Sequence, residues 1–112
     1  MNKYRARRTT IDGYIFHSAR EAERYLVLKD YLNRGVITNL VLQPEFTLLE
    51  GFTDNIGNRI KPIKYRADFG YTRSGIRYVE DVKGIKTQGY VLKKKLLLYH
   101  LRDSDVIFIE TK

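Results

Sequence analysis

The chain has no cysteine among its 112 residues, which removes disulfides, thiolate metal ligands and a cysteine nucleophile together. Histidine is scarce as well. His17 and His100 alone leave little material for a zinc site. No apolar run approaches the length of a membrane span, and the basic opening MNKYRARRTT lacks the apolar region of a signal peptide. A cytoplasmic setting without membrane attachment is therefore expected. Repeats and low-complexity linkers are absent too. What the sequence does have is positive charge: 21 Lys and Arg against 13 Asp and Glu, a formal net charge of +8. That excess suits a polyanionic partner, nucleic acid above all, although solubility alone also accounts for such a balance. With 43% hydrophobic residues, the length supports one modest core. Residues 1–112 are expected to form a single domain, with 1–10 as a basic arm carrying Lys3, Arg5, Arg7 and Arg8.

Punctuation along the chain predicts the elements. Asp12-Gly13 between TTI and YIF is a hairpin signal and predicts an N-terminal β-ribbon. In SAREAERYLVLKDYLNRG, Ser18 with Glu21 three residues on marks a helix start, and Gly35 marks its stop. Tyr25, Leu28 and Leu32 supply the buried stripe. VITNLVLQPEFTLLEGF reads as extended, with Leu40, Leu42, Phe46 and Leu48 on one face and Pro44 at an edge or bulge. IKYRADFGYT and IRYVEDVKG predict two further strands joined across Arg73-Ser74-Gly75. Residues 88–101 read as a second helix over a core formed by Leu92, Leu96 and Tyr99, and DVIFIE as a last strand. The class is mixed α and β, in the order α-β-β-β-α-β behind a ribbon.

Three charges interrupt the strand VEDVKG, and alternation sorts them. Arg77, Val79, Asp81 and Lys83 share one face; Ile76, Tyr78, Glu80 and Val82 share the side that the helices cover. On the neighbouring strand Tyr65, Ala67, Phe69 and Tyr71 form the apolar set, leaving Lys64, Arg66 and Asp68 opposite. Asp68 and Asp81 can then meet on a polar face. Two converging carboxylates repel unless a cation lies between them, and a hard divalent ion suits all-oxygen ligands. Such an ion polarises a phosphate, with Lys83 to orient a water or stabilise developing charge, which is the chemistry of phosphodiester hydrolysis. The same residues also fit a surface ion pair on an exposed strand.

YRADF followed by VEDVKG resembles the two signature strands of the PD-(D/E)xK nuclease superfamily. Asp68 matches the first acid of the motif, Asp81 the second and Lys83 its lysine, while Ala67 stands where the proline would be. The likeness is to small phage-encoded nucleases, including Holliday-junction resolvases of the phage endonuclease I type, and covers the chain from about Thr10 onward. IDGYIFHSAREAERY, LQPEF and EDVKGIKT also resemble a further phage protein family. The resemblance implies a restriction-endonuclease-like α-β-β-β-α-β core and Mg²⁺, or Mn²⁺ in its place, as cofactor. It also implies branched DNA as substrate, a two-fold homodimer, and a phage-encoded protein acting in a bacterial cytoplasm. In that group a serine-started helix contributes another glutamate, which places Glu21 among the ligands. Ser18-x-x-Glu21 is equally a capping box, which by itself explains both residues. A bulge would bring Glu80 to the metal instead of Asp81.

For DNA contacts the candidates are Lys3, Arg5, Arg7 and Arg8 in the arm, Lys64 and Arg66 on the strand, and Lys86, Thr87 and Gln88 after it. Lys93 and Lys94 follow on the second helix. Thr87 also suits a helix cap, the helix lysines suit a solvated face, and the tyrosines on core faces suit packing. A DNA-binding module without catalysis is the alternative with the same charge and fold.

Overall fold

The computed structural model describes residues 8–82 and 87–111. The sequence assignments to Lys3, Arg5, Arg7, Lys83 and Lys86 lie outside these residues. Strands β1 (Thr9–Ile11) and β2 (Tyr14–Phe16) pair antiparallel as the expected ribbon. Asp12 and Gly13 both take positive φ, 54° and 82°, the mirror-image turn that matches strand twist and that Asp-Gly adopts readily.

Helix α1 (Ala19–Asn33) starts where the Ser18 hydroxyl accepts the Glu21 N–H at 3.1 Å. It ends where the Gly35 and Val36 N–H groups donate back to the Leu32 and Tyr31 carbonyls, satisfying acceptors that the last turn leaves open. Ala22, Tyr25 and Leu28 are its buried side. After it come β3 (Thr38–Leu42), β4 (Glu45–Leu49), β5 (Phe52–Thr53), β6 (Arg59–Ile60), β7 (Ile63–Arg66), β8 (Phe69–Arg73) and β9 (Ile76–Val82). Helix α2 (Gln88–Leu101) and β10 (Val106–Thr111) complete the described chain. The class is mixed α and β, as expected.

Four strands form the main sheet in the order β10-β9-β8-β3. β3, β8 and β9 run antiparallel as a meander, and β10 lies parallel to β9. Antiparallel neighbours need only a tight turn, here Ser74-Gly75, whereas the parallel pair needs a crossover, which α2 supplies. Strands β4 and β7 form a separate antiparallel pair, and β5 and β6 another.

Two stretches read as continuous strands are broken. The first jogs at Gln43-Pro44, where Gln43 has φ 53° and Pro44 has no N–H to give a ladder. The second jogs at Ala67-Asp68. The breaks are tied to each other: Gln43 N–H donates to the Asp68 carbonyl at 2.9 Å, and Ala67 N–H to the Pro44 carbonyl at 3.0 Å. Both chains thus leave the main sheet at one corner. The side-chain phase changes there, so the expected single faces divide. Leu40, Leu42, Phe69 and Tyr71 join Phe16, Tyr25, Leu28 and Ile37 under α1, while Phe46, Leu48, Tyr65 and Ala67 join Val79, Leu97 and Leu101 under α2.

Helix α2 is also turned from its expected phase. Leu97 and Leu101 are buried, whereas Leu92 and Tyr99 are exposed. Leucines surround this helix, so periodicity alone does not choose a face. The inward series is Tyr90, Lys94, Leu97 and Leu101.

Glu80 joins the layers. Its side chain is fully buried and accepts Arg24 Nε at 2.7 Å, an Arg24 terminal nitrogen at 3.0 Å, the Tyr71 hydroxyl at 2.7 Å and the Thr111 hydroxyl at 3.0 Å. Those donors come from α1, β8 and β10. A buried carboxylate is tolerated when its lone pairs are filled and a cation faces it, and removing one partner costs several kcal/mol. Arg24→Met should therefore destabilise the protein by about 3 kcal/mol, measured by urea unfolding at pH 7. A loss below about 0.5 kcal/mol, the range of ordinary surface substitutions, would mean that Tyr71 and Thr111 suffice.

Candidate functional site

The strand corner and the end of β9 place Asp68 and Asp81 together. The Asp68 N–H donates to the Glu80 carbonyl at 3.1 Å and to Asp81 Oδ1 at 3.0 Å. In return Asp68 Oδ2 accepts the Val82 N–H at 2.7 Å. Each carboxylate thus holds the other strand's backbone where the β-ladder ends. The second Asp81 oxygen accepts the Tyr65 hydroxyl. Hydrogen bonds of this charge-assisted kind contribute roughly 1.5–3 kcal/mol each, so the two acids are fixed in place.

Adjacent residues of β9 point to opposite sides, and Glu80 and Asp81 accordingly divide. Glu80 faces α1 and is filled by Arg24, Tyr71 and Thr111. No bulge carries it toward Asp68, so Asp81 is the acid that meets Asp68. The face carrying Asp81 is not the open polar face expected from alternation. Val79 and Asp81 are both buried there, because α2 and the β4–β7 pair cover it.

The register of β9 on β10 sets Asp81 opposite Glu110. Like charges side by side require donors, and α2 supplies them. The Tyr90 hydroxyl and the Lys94 ammonium both reach Glu110, the latter at 2.9 Å. The Tyr65 and Tyr90 rings lie 6.5 Å apart, so a tyrosine pair links the Asp81 and Glu110 carboxylates. Tyr65, Tyr90 and Glu110 escaped the sequence reading of the site. The available signal was chemical: a buried tyrosine needs a partner for its hydroxyl, and a buried acid needs a donor.

Glu21 approaches from the first turn of α1. The Ser18 cap uses only its backbone N–H, so the capping contact leaves the carboxylate unspent. That carboxylate is half-buried; burial raises its pKa, the His17 imidazole lowers it, and Asp81 raises it again. Asp68 feels the crowding most. Burial pushes its carboxyl up to about 7, the Val82 N–H pulls it down, and Glu21, Asp81 and Glu80 add repulsion. Burial also raises Asp81, against the Tyr65 hydroxyl and the Asp68 N–H.

The donor set is all oxygen and acidic, which suits Mg²⁺ or Mn²⁺. Among the described residues no three His, Cys, Asp or Glu side chains group closely enough to hold one ion. The fit is to Asp68 and Asp81 as a two-carboxylate site, the kind in which Mg²⁺ keeps several waters. Asp68 Oδ1 accepts no hydrogen bond within the described residues, which leaves an open position.

The remaining candidates are dispersed. Lys64 and Arg66 on β7 each lie 3.4 Å from Glu45, where the lysine charge first and then the hydrogen bonds hold the Glu45 carboxyl below its ordinary range. The Thr87 hydroxyl caps α2 by accepting the Tyr90 N–H, and Gln88 is exposed in the first turn. Lys93 is exposed, whereas Lys94 faces inward to Glu110. Arg8 is exposed beside the ribbon. Among the described residues no helix is long and apolar enough to cross a membrane.

Folding raises the Asp68 pKa, so the folded protein holds a proton that the unfolded chain has already released. Stability from this group is therefore present at low pH and lost as pH rises from about 4 toward about 7. Asp68→Asn should raise the melting temperature in EDTA more at pH 8 than at pH 5. Equal shifts at the two pH values in thermal melts would show that this carboxyl does not titrate in that window.

No curated protein matches the chain. A family model does, across residues 1–111, and the chain belongs to that family, DUF1064, described as a protein of unknown function.

Proposed function

We propose that the protein is a metal-dependent endodeoxyribonuclease that hydrolyses phosphodiester bonds in branched DNA. The proposed setting is a two-fold homodimer encoded by a phage and acting in a bacterial cytoplasm. One observation carries the reading: Asp68 and Asp81 converge at a strand end, locked by reciprocal backbone hydrogen bonds. Two further features support it. Counted through the main sheet, α1, β3, β8, β9, α2 and β10 follow the α-β-β-β-α-β order of the nucleases that the signature strands resemble. The net charge of +8 suits a phosphate backbone.

In this reading Asp68 and Asp81 hold a divalent cation, which when bound supplies a Lewis acid for a phosphate oxygen. The chain does the positioning. Tyr65 and the Asp68 N–H fix the Asp81 carboxylate, and the Val82 N–H fixes that of Asp68. Glu21 completes the acidic wall from α1. Lys83, outside the described residues, is assigned to the attacking water by the motif alone. One water is consumed: its oxygen bonds to phosphorus, the bond from phosphorus to one sugar oxygen breaks, and that oxygen takes a proton. The products are a phosphomonoester and a free hydroxyl.

A second reading, a DNA-binding module without catalysis, is favoured by the missing third ligand among the described residues. One assay separates the two. Labelled four-way junction and matched duplex are incubated with Mg²⁺, Mn²⁺ or EDTA, beside Asp68→Ala, Asp81→Ala and Lys83→Ala. Junction nicks that need metal and fall by roughly 100-fold or more in each variant are the expected result. Tight junction binding by the folded protein with no cleavage in either metal would select the binding module.

A further inference from the structure

The ribbon and the strand corner enclose a half-open cleft of about 480 Å³ that none of the carboxylate chemistry uses. Arg8, Tyr14, Phe16, His17, Leu42 and Gln43 line it. The volume falls within the range of small-molecule sites, and the lining is aromatic and apolar with a cation and an amide at its edge. Tyr14 leaves 49% of its surface exposed, whereas Phe16, two residues on, is 3% exposed and packs on the Tyr25 ring at 5.0 Å. Tyr14 also leans on the Tyr25 ring, at 6.0 Å, so α1 holds both rings of the ribbon while about half of Tyr14 stays open to the cleft.

The cleft shares a wall with the carboxylates. The Gln43 N–H donates to the Asp68 carbonyl at 2.9 Å, and the His17 imidazole acts on the Glu21 carboxylate. The cleft thus adjoins the corner from which Asp68 projects. We infer that this cleft takes an unpaired base of DNA, stacked on Tyr14, with Arg8 against its backbone. The inference rests on the nuclease reading and deepens it, by assigning the substrate as DNA with an unpaired nucleotide beside the scissile phosphate. Bases in an intact duplex are stacked and paired and cannot enter such a cleft without being extruded. Stacking on an aromatic side chain tolerates any base, since every base has a π-face. Selection would thus be for strand structure rather than sequence.

The test measures binding without cleavage. Fluorescence anisotropy in EDTA compares a labelled oligothymidylate with a duplex of equal length, using wild type, Tyr14→Ala, Tyr14→Leu and Tyr14→Phe. Wild type should prefer the single strand. Tyr14→Ala and Tyr14→Leu should weaken it about tenfold, with duplex binding changed by less than about twofold, and Tyr14→Phe should bind as wild type. Thermal melts identify any variant that fails to fold, and Tyr14→Leu, which keeps apolar bulk without the ring, carries the result if Tyr14→Ala does. Equal losses on both DNAs, or full single-strand binding by Tyr14→Leu, would overturn the cleft assignment. Asp81→Ala, assayed for cleavage in Mg²⁺ and for anisotropy in EDTA, separates the two ideas. Wild-type single-strand preference with no metal-dependent cleavage sinks the nuclease reading and leaves the cleft standing.

Discussion

A single buried carboxylate organises this fold. Glu80 accepts hydrogen bonds from Arg24, Tyr71 and Thr111, so one side chain binds α1, β8 and β10 to the strand that carries it. Ionised and removed from water, it would be prohibitive alone; with every donor present it fixes how helix and sheet meet. The consequence reaches the site. Arg24 follows Glu21 by three residues, so seating Arg24 on Glu80 also sets where the first turn of α1 stands relative to the end of β9. Glu21 is brought to Asp68 and Asp81 by a contact made one turn further along the helix.

The alternation of β9 then separates two tasks. Glu80 goes to the α1 side, where a guanidinium answers it. Asp81 goes to the α2 side, where among the described residues neutral donors, Tyr65 and the Asp68 N–H, meet it directly. Lys94, which reaches this side from α2, is engaged by Glu110. Adjacent acids of equal formal charge thus have unlike surroundings, one neutralised and one left in an acidic neighbourhood. That difference makes Glu80 a structural carboxylate and is what recommends Asp81 for the proposed ion.

Much of the secondary structure was legible because its signals are local. Ser18 and Thr87 cap helices through their own hydroxyls, and Asp12-Gly13 and Ser74-Gly75 turn hairpins through their own dihedral angles. The convergence of Asp68 and Asp81 was legible as well, from strand alternation on β9 and the pairing of its neighbour. The corner at Gln43-Pro44 and Ala67-Asp68 was not. Apolar residues keep a period of two straight across it, and only the hydrogen bonds between the two jogs define it. The phase of α2 was hidden for a related reason. Tyr90 and Leu92 lie roughly 200° apart around the helix, and both rows are apolar, so the choice fell to what the sheet presents. Glu110, in register with Asp81, requires Lys94 and Tyr90 on the inward side and leaves Leu92 and Tyr99 outside.

The corner that sequence periodicity missed is also what gives Asp68 its character. Had residues 63–72 continued as one strand, Asp68 would have kept an ordinary place in the ladder, on the face opposite Phe69. Because the chain leaves the main sheet at Ala67, the Asp68 N–H is shared between the Glu80 carbonyl and Asp81, and its carboxylate folds over the last rung to take the Val82 N–H. This geometry desolvates Asp68 and holds it beside three other acids. The Arg24 guanidinium, one turn from Glu21, is committed to Glu80. A fold selected for stability alone would gain by an amide at this position. Strongly perturbed groups of this kind, crowded and free at one oxygen, concentrate where proteins work, which is the ground for proposing a cation beside Asp68.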